Sequence, residues 1–279
     1  MSKCSWTGCR MWKRRGIELL SGLLLLVGGC RQPETPAPRP AEVQVAAAAD
    51  LRYAFEVLRD RFEGVHPNIR LKVIYGSSGQ FFAQLRNGAP YDLYFSADAD
   101  YPRRLIAEGL AVDSSFFLYA IGQLVVWVPQ NSPLALASWD ELAGSAIRRL
   151  ALANPRHAPY GRAAIAALRS LGLYERLRNR LVFGENVAQA AQFAASGAAD
   201  AGLIALALAL APEMQQRGRY RLLPPESYPP IEQGAVVLQQ AAARPEVWTF
   251  WRFVQRPEGR AVLHQYGFAL PDTSDHFEP

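Results

Sequence analysis

Residues 73–85 read V-I-Y-G-S-S-G-Q-F-F-A-Q-L, and no other stretch restricts the fold so narrowly. Leu71, Val73 and Tyr75 alternate with Lys72 and Ile74, as at the end of a strand. Gly76, Ser77, Ser78 and Gly79 break that period, and Phe81, Phe82 and Leu85 then fall on one helical face. Ser77 or Ser78 therefore sits where a helix N-cap belongs. The first turn of a helix leaves backbone N–H groups unpaired and carries roughly half a positive charge. Glycine lets a ligand approach that backbone closely. Strand, Gly-Ser turn and helix start together form a seat for an anion that needs no Lys or Arg. The plainer reading of the same residues is an ordinary capped connection.

The rest of the chain decides between these readings. Its 279 residues suffice for two α/β lobes, and half of them are hydrophobic, enough for real cores. The net charge is +5, but the first thirty residues hold five basic side chains (Lys3, Arg10, Lys13, Arg14 and Arg15) against one acid, Glu18. The remainder is thus nearly neutral, which excludes the electrostatic footprint of a nucleic-acid binder. All three cysteines, Cys4, Cys9 and Cys30, lie in that same leader, so no disulfide is internal to the folded body.

The leader reads as a secretion signal over residues 1–30. A basic segment precedes an apolar run at 17–27 that is too short for a stable membrane span. It ends in L-V-G-G-C, which resembles the bacterial lipobox. That resemblance implies lipidation of Cys30 and a membrane tether through it. Residues 31–41, with Pro33, Pro36, Pro38 and Pro40, read as an extended linker.

In the body, strands are expected at 42–48, 71–75, 92–96, 116–120, 123–128, 149–153, 181–183, 200–205, 220–223 and 233–239. Helices alternate with most of them, and two, 246–254 and 257–266, close the chain. Such alternation means largely parallel pairing, with ligands beyond the carboxyl ends of the strands. Four loops there carry helix starts, at Asp50, Ser78, Tyr160 and Val187. Two belong to the first series of units and two to the second, which points to a cleft between lobes.

Seven motifs in order carry a resemblance across residues 42–271. They are V-A-A-A-A-D-L (45–51), G-S-S-G (76–79), N-G-A-P-Y-D-L-Y-F-S-A-D (87–98), Y-A-I-G-Q-L-V-V-W (119–127), N-P-R-H-A-P-Y-G (154–161), G-E-N-V-A-Q-A (184–190) and Y-G-F-A-L-P (266–271). Together they resemble the ModA family, the periplasmic molybdate-binding proteins of ABC importers. The resemblance implies an α/β, two-lobe type II periplasmic binding protein with mixed sheets flanked by helices. Lobe 1 is expected at 42–121 plus 235–279 and lobe 2 at 122–234, with hinge strands near 119–123 and 223–234. The ligand implied is a tetrahedral oxyanion, molybdate or tungstate, and no cofactor. The partners implied are an ABC permease in the inner membrane and the oxyanion itself, for a monomer that is not an enzyme.

Carried over by position, the implied binding residues are Ala49 and Asp50, Ser78, Tyr160 and Val187. Some members use a tyrosine that would fall at Ala205, which has no hydroxyl to offer. Asp50 departs from the Ser or Asn common in the family. Hydrogen bonds to a charged group contribute roughly 1.5–3 kcal/mol each, so four or five supply about 8–10 kcal/mol, on the scale of micromolar or tighter binding. A carboxylate about 4 Å from a dianion opposes this by roughly 4 kcal/mol per charge pair at an effective dielectric of 20. Three roles for Asp50 stay open. It caps its own helix, it is protonated in the complex, or the ligand is a protonated ion such as phosphate.

Enzyme signatures are weak. Ser77 and Ser78 lack the spacing of a nucleophile elbow. His66, His157, His264 and His276 form no zinc pair, and only His157 lies in a candidate site loop.

Overall fold

The computed structural model describes residues 40–271. The expected signal 1–30 with Cys30, all but the last two residues of the linker, and 272–279 lie outside the described residues. The chain runs β1 (Ala41–Ala48), α1 (Arg52–Val65), β2 (Ile69–Gly76), α2 (Ser78–Arg86), β3 (Leu93–Ser96), α3 (Asp100–Ala107), β4 (Phe117–Gly122) and β5 (Leu124–Pro129). It continues with β6 (Leu150–Ala153), α4 (Pro159–Ser170), α5 (Tyr174–Leu177), β7 (Leu181–Gly184), α6 (Val187–Ala195) and β8 (Ala201–Ala205). The last elements are α7 (Leu206–Ala209), α8 (Pro212–Arg217), β9 (Gly218–Leu222), β10 (Ile231–Val237), α9 (Pro245–Gln255) and α10 (Pro257–Gln265).

These strands form two five-stranded sheets, ordered β2-β1-β3-β10-β4 and β7-β6-β8-β5-β9. Within each sheet the first three strands pair in parallel and the last two add antiparallel. Pairing is therefore evenly mixed rather than largely parallel. The reason is the exchange of strands: β5 leaves the first sheet for the second after β4, and β10 returns. Neither enters through a helical crossover, so neither is forced parallel. The expected lobe boundary at 234/235 also shifts. β10 pairs with β4 from Ile231 onward, so 231–234 belong to the first sheet.

Strand faces obey the two-residue period. Val43, Val45 and Ala47 of β1 join a core that includes Phe55, Phe62, Phe95 and Phe250, packed edge to face. Ala46 points the other way, into a second cluster with Phe81, Phe82, Tyr94 and Leu105. The second sheet uses smaller residues. Ala190, Ala191 and Ala194 of α6 and Ala163, Ala164 and Ala167 of α4 are buried around L-A-L-A of β6 and A-G-L-I-A of β8. Helix α4 starts at Pro159, where a proline at a first helical position loses no needed N–H. Tyr160 is therefore in a first helical turn, not in a loop. Among the described residues no helix is long and apolar enough to cross a membrane.

Candidate functional site

Each sheet sends two strand–helix junctions to one place. From the first come the turn Ala49–Leu51, which links β1 to α1, and the β2–α2 junction at Ser77 and Ser78. From the second come the first turn of α4, with Tyr160, and Asn186–Val187 at the start of α6. Ala49, Asp50, Ser78, Tyr160 and Val187, the five residues expected from the sequence, all line a single pocket here. The space left between its walls is about 10 Å³, enough for one water.

The donors are prepared. Ser78 and Val187 open α2 and α6, so their amides have no carbonyl one turn earlier to bond. Asn186 caps α6 by accepting from Gln189 N at 3.0 Å. The Ser78 hydroxyl accepts from Ala97 N at 2.9 Å, which leaves its one hydrogen to donate. Its carbonyl accepts from the buried Tyr94 hydroxyl at 2.7 Å. Ser77 stands at the N-cap of α2 but does not cap it. Its hydroxyl instead crosses to the other lobe and donates to the His157 carbonyl at 2.6 Å. Gly79 N donates to the same carbonyl at 2.9 Å. A Cβ on Gly79 would stand 2.6 Å from that oxygen, so only glycine permits this approach. His157 Nδ1 lies 2.9 Å from Ser77 Oγ. Since the hydroxyl proton faces the carbonyl, Nδ1 is assigned as donor to Ser77.

Asp50 directs its carboxyl to Gln233; no side-chain cap bond forms at the start of the turn or of α1, although the backbone amides of Asp50 and Leu51 help lower its pKa. It is 1% exposed, and its Oδ2 accepts from Gln233 Nε2 at 2.6 Å. The Tyr119 hydroxyl lies 2.7 Å from Gln233 Oε1 and 3.1 Å from the Ser96 carbonyl; its one hydrogen is assigned to the nearer acceptor, and the Gln233 amide is oriented accordingly. The second Nε2 hydrogen reaches the Tyr160 hydroxyl at 3.2 Å. Burial raises the Asp50 pKa from 3.8 to about 6, against the opposing pull of Gln233 and Tyr160. Burial, reinforced by the Asp50 charge, holds the Tyr119 and Tyr160 hydroxyls far above their ordinary range, so both are neutral donors. The buried polar side-chain atoms without a hydrogen bond, among the described residues, are Asp50 Oδ1 and the Tyr75 hydroxyl.

The sequence reading missed Gln233 and Tyr119. Gln233 is a fully buried amide between exposed Glu232 and the apolar G-A-V-V of β10, and a polar residue on the inward side of I-E-Q-G-A-V-V was its signal. Gly122 explains the closeness of the network: a Cβ there would lie 2.2 Å from the Tyr160 hydroxyl and 2.7 Å from Gln233 Nε2. Ala205, buried at the end of β8, contributes only a methyl group.

Two larger clefts lie nearby. One, of about 350 Å³, is lined by Asp98, Arg103, Arg162 and Glu232. The other, of about 450 Å³, is lined by Arg52, Glu56, Glu213 and Arg217. Both mix charges of opposite sign, and neither holds an unpaired buried group. No cluster of His, Cys, Asp and Glu suited to a metal ion occurs among the described residues. The small pocket, with its convergent amides and hydroxyls, is the candidate site.

A family model described as bacterial extracellular solute-binding protein matches residues 43–269. The molybdate-binding protein ModA of Rhodobacter capsulatus is 36% identical, over 70% of this chain and 75% of its own. ModA of Azotobacter vinelandii is 35% identical, over 84% of this chain and 92% of its own. The solved structure of the Azotobacter vinelandii periplasmic molybdate-binding protein superposes with a TM-score of 0.77 at 34% identity, covering 82% of this chain and all of that one.

Proposed function

The chain belongs to the bacterial extracellular solute-binding proteins and, among them, to the ModA family, and from that premise we propose that it captures molybdate between its two sheets for an ABC permease. One observation carries this reading. Four helix starts, two from each sheet, converge on one pocket whose donors are amides and neutral hydroxyls. Such a set suits a small anion, because the peptide dipoles already point inward and need no rearrangement. Relatives named for molybdate at 35–36% identity favour that ion over the phosphate-like alternative.

In this reading Ser78 and Tyr160 donate hydroxyls, and Ala49, Ser78 and Val187 donate amides. The lobes, bounded near Gly122 and Ile231, close on the anion by bending at the crossing strands. Tungstate, of the same shape and charge, is a second ligand. The protein works as a periplasmic monomer that binds and releases without turnover, tethered through lipid on Cys30.

Calorimetric titration with molybdate, tungstate, sulfate and phosphate tests the ligand. Micromolar or tighter molybdate binding, with tungstate alongside and sulfate and phosphate far weaker, is the expected result. Equal binding of phosphate overturns it. Mass spectrometry of the membrane-bound protein tests the tether, which Cys30→Ala should release.

A further inference from the structure

The buried carboxyl of Asp50 poses a problem that the functional reading does not resolve. A dianion seated on Ala49, Ser78 and Val187 stands beside it, and two negative groups at that distance repel strongly. The carboxyl cannot swing away, because Oδ2 is held at 2.6 Å by Gln233, itself held at 2.7 Å by Tyr119. Its other oxygen, Oδ1, is buried and has no hydrogen-bond partner, although the residue lines the pocket. We propose that molybdate binds together with one proton, taken from solution onto Asp50 Oδ1, which then donates its O–H to an oxygen of the anion. This rests on molybdate as the ligand.

The balance is simple. Free site, molybdate dianion and one solvent proton give a complex in which the carboxyl is neutral and nothing leaves. A carboxyl in this form is a single donor, so it joins the other neutral donors instead of opposing them. Oδ2 remains the acceptor for Gln233, and Oδ1 gains the partner it lacks.

The surroundings leave Asp50 as the group that titrates. Tyr119 of β4 and Tyr160 of α4 face it, and both stay protonated. In the next turn, Arg52 lies over the Tyr75 ring on β2. Tyr53 feels Glu213, Glu56 and Arg217 instead. Helices α6 and α7, which pack on the Asp50 turn, carry no titratable side chain. His157 borders the site, but bonds Ser77 and lies 3.6 Å from Glu185.

Calorimetry at pH 7.5 in buffers of contrasting protonation enthalpy counts the protons. The wild type should take up about one per molybdate, and its Kd should rise about tenfold per pH unit above the free-site pKa. Asp50→Asn should take up none and bind with little pH dependence. A protonated-carboxyl infrared band should appear when molybdate is added to the wild type and be missing in D50N. Molybdate binding by the wild type without proton uptake overturns the proposal. So does uptake that persists in D50N, as it would if His157 took the proton. Absence of molybdate binding at any pH is a different failure: it overturns the functional reading, and this inference with it.

Discussion

The two lobes share one plan and are built of different material. Each sheet places one strand (β1 or β6) second from an edge, pairs it in parallel with the next two in the chain that join that sheet, and receives two antiparallel strands at the opposite edge. In each, the helix starts after the first and second strands face the site. Asp50 thus corresponds to Tyr160, and Ser78 to Val187. The first lobe fills its core with phenylalanines that span wide gaps, while the second brings helices close on alanine. Same topology with different packing shows that the site depends on where helices begin, not on which side chains hold them. The lobes differ at the site as well. The first supplies an acid and a buried serine hydroxyl, and the second supplies one phenol and otherwise backbone.

Several substitutions break or sharpen this comparison. The largest effect is expected where the lobes meet. Gly122→Ala puts a methyl into the Tyr160 and Gln233 contacts, which should cost about 3 kcal/mol and weaken molybdate binding roughly 100-fold. A Kd within threefold of wild type would separate the site from the crossing strand. The next effect is on stability. Asp50 has a folded pKa of about 6 against 3.8 unfolded, so its proton stabilises the fold below pH 4. That contribution disappears as pH rises to about 6, because the unfolded state ionises first. Urea unfolding at pH 4 and pH 7 should show wild type losing about 2 kcal/mol relative to Asp50→Asn. A constant difference would contradict the buried-acid assignment.

Smaller effects compare the lobes donor by donor. Ser78→Ala removes a hydroxyl from the anion and an acceptor from Ala97 N, and about 1.5–3 kcal/mol of binding should go with it. Tyr160→Phe removes a hydroxyl that accepts from Gln233 Nε2 and, on the proposed reading, donates to the anion; calorimetry should read a loss of roughly tenfold, about 1.4 kcal/mol. If Tyr160→Phe weakened binding more than Ser78→Ala, the second lobe would be the stronger holder. Arg162→Ala cuts the exposed pair with Asp98 across the rim and should alter Kd by less than about threefold, since such pairs contribute about 0–1 kcal/mol.

Much of this was legible in the sequence because local rules governed it. Gly-Ser-Ser-Gly after an alternating run placed the β2–α2 junction, and Asn186 before an apolar helical run placed the start of α6. What escaped notice required long-range pairing. The bond from Gln233 to Asp50 spans 183 residues, and nothing near either end announces it. The alternation of strands and helices hid the even mixture of pairing directions, which only the family resemblance implied, since β5 and β10 reveal which sheet they join only through their partners. The plan common to both lobes leaves no repeated sequence, because phenylalanine and alanine cores meet the same geometry by different means.

A single residue, Gln123, separates β4 of one sheet from β5 of the other. The return connection is stitched beside it, with Leu223 N bonded to Leu124 O at 3.0 Å and Gly122 paired with Ile231. The tail clasps the same spot through Ile121–Ala269 and a 2.8 Å bond from Gln123 to Gly267. A pivot so confined makes each lobe a lever arm. Gln233 and Tyr119, beside the fulcrum, travel little as the jaws swing. On the proposed closing motion, the Gln80–Glu185 bond of 2.7 Å and the Arg162–Asp98 pair, out at the lips, travel far. Admission of the ion falls, on the proposed mode of binding, to the lips, while the proton taken up by Asp50 is placed near the pivot.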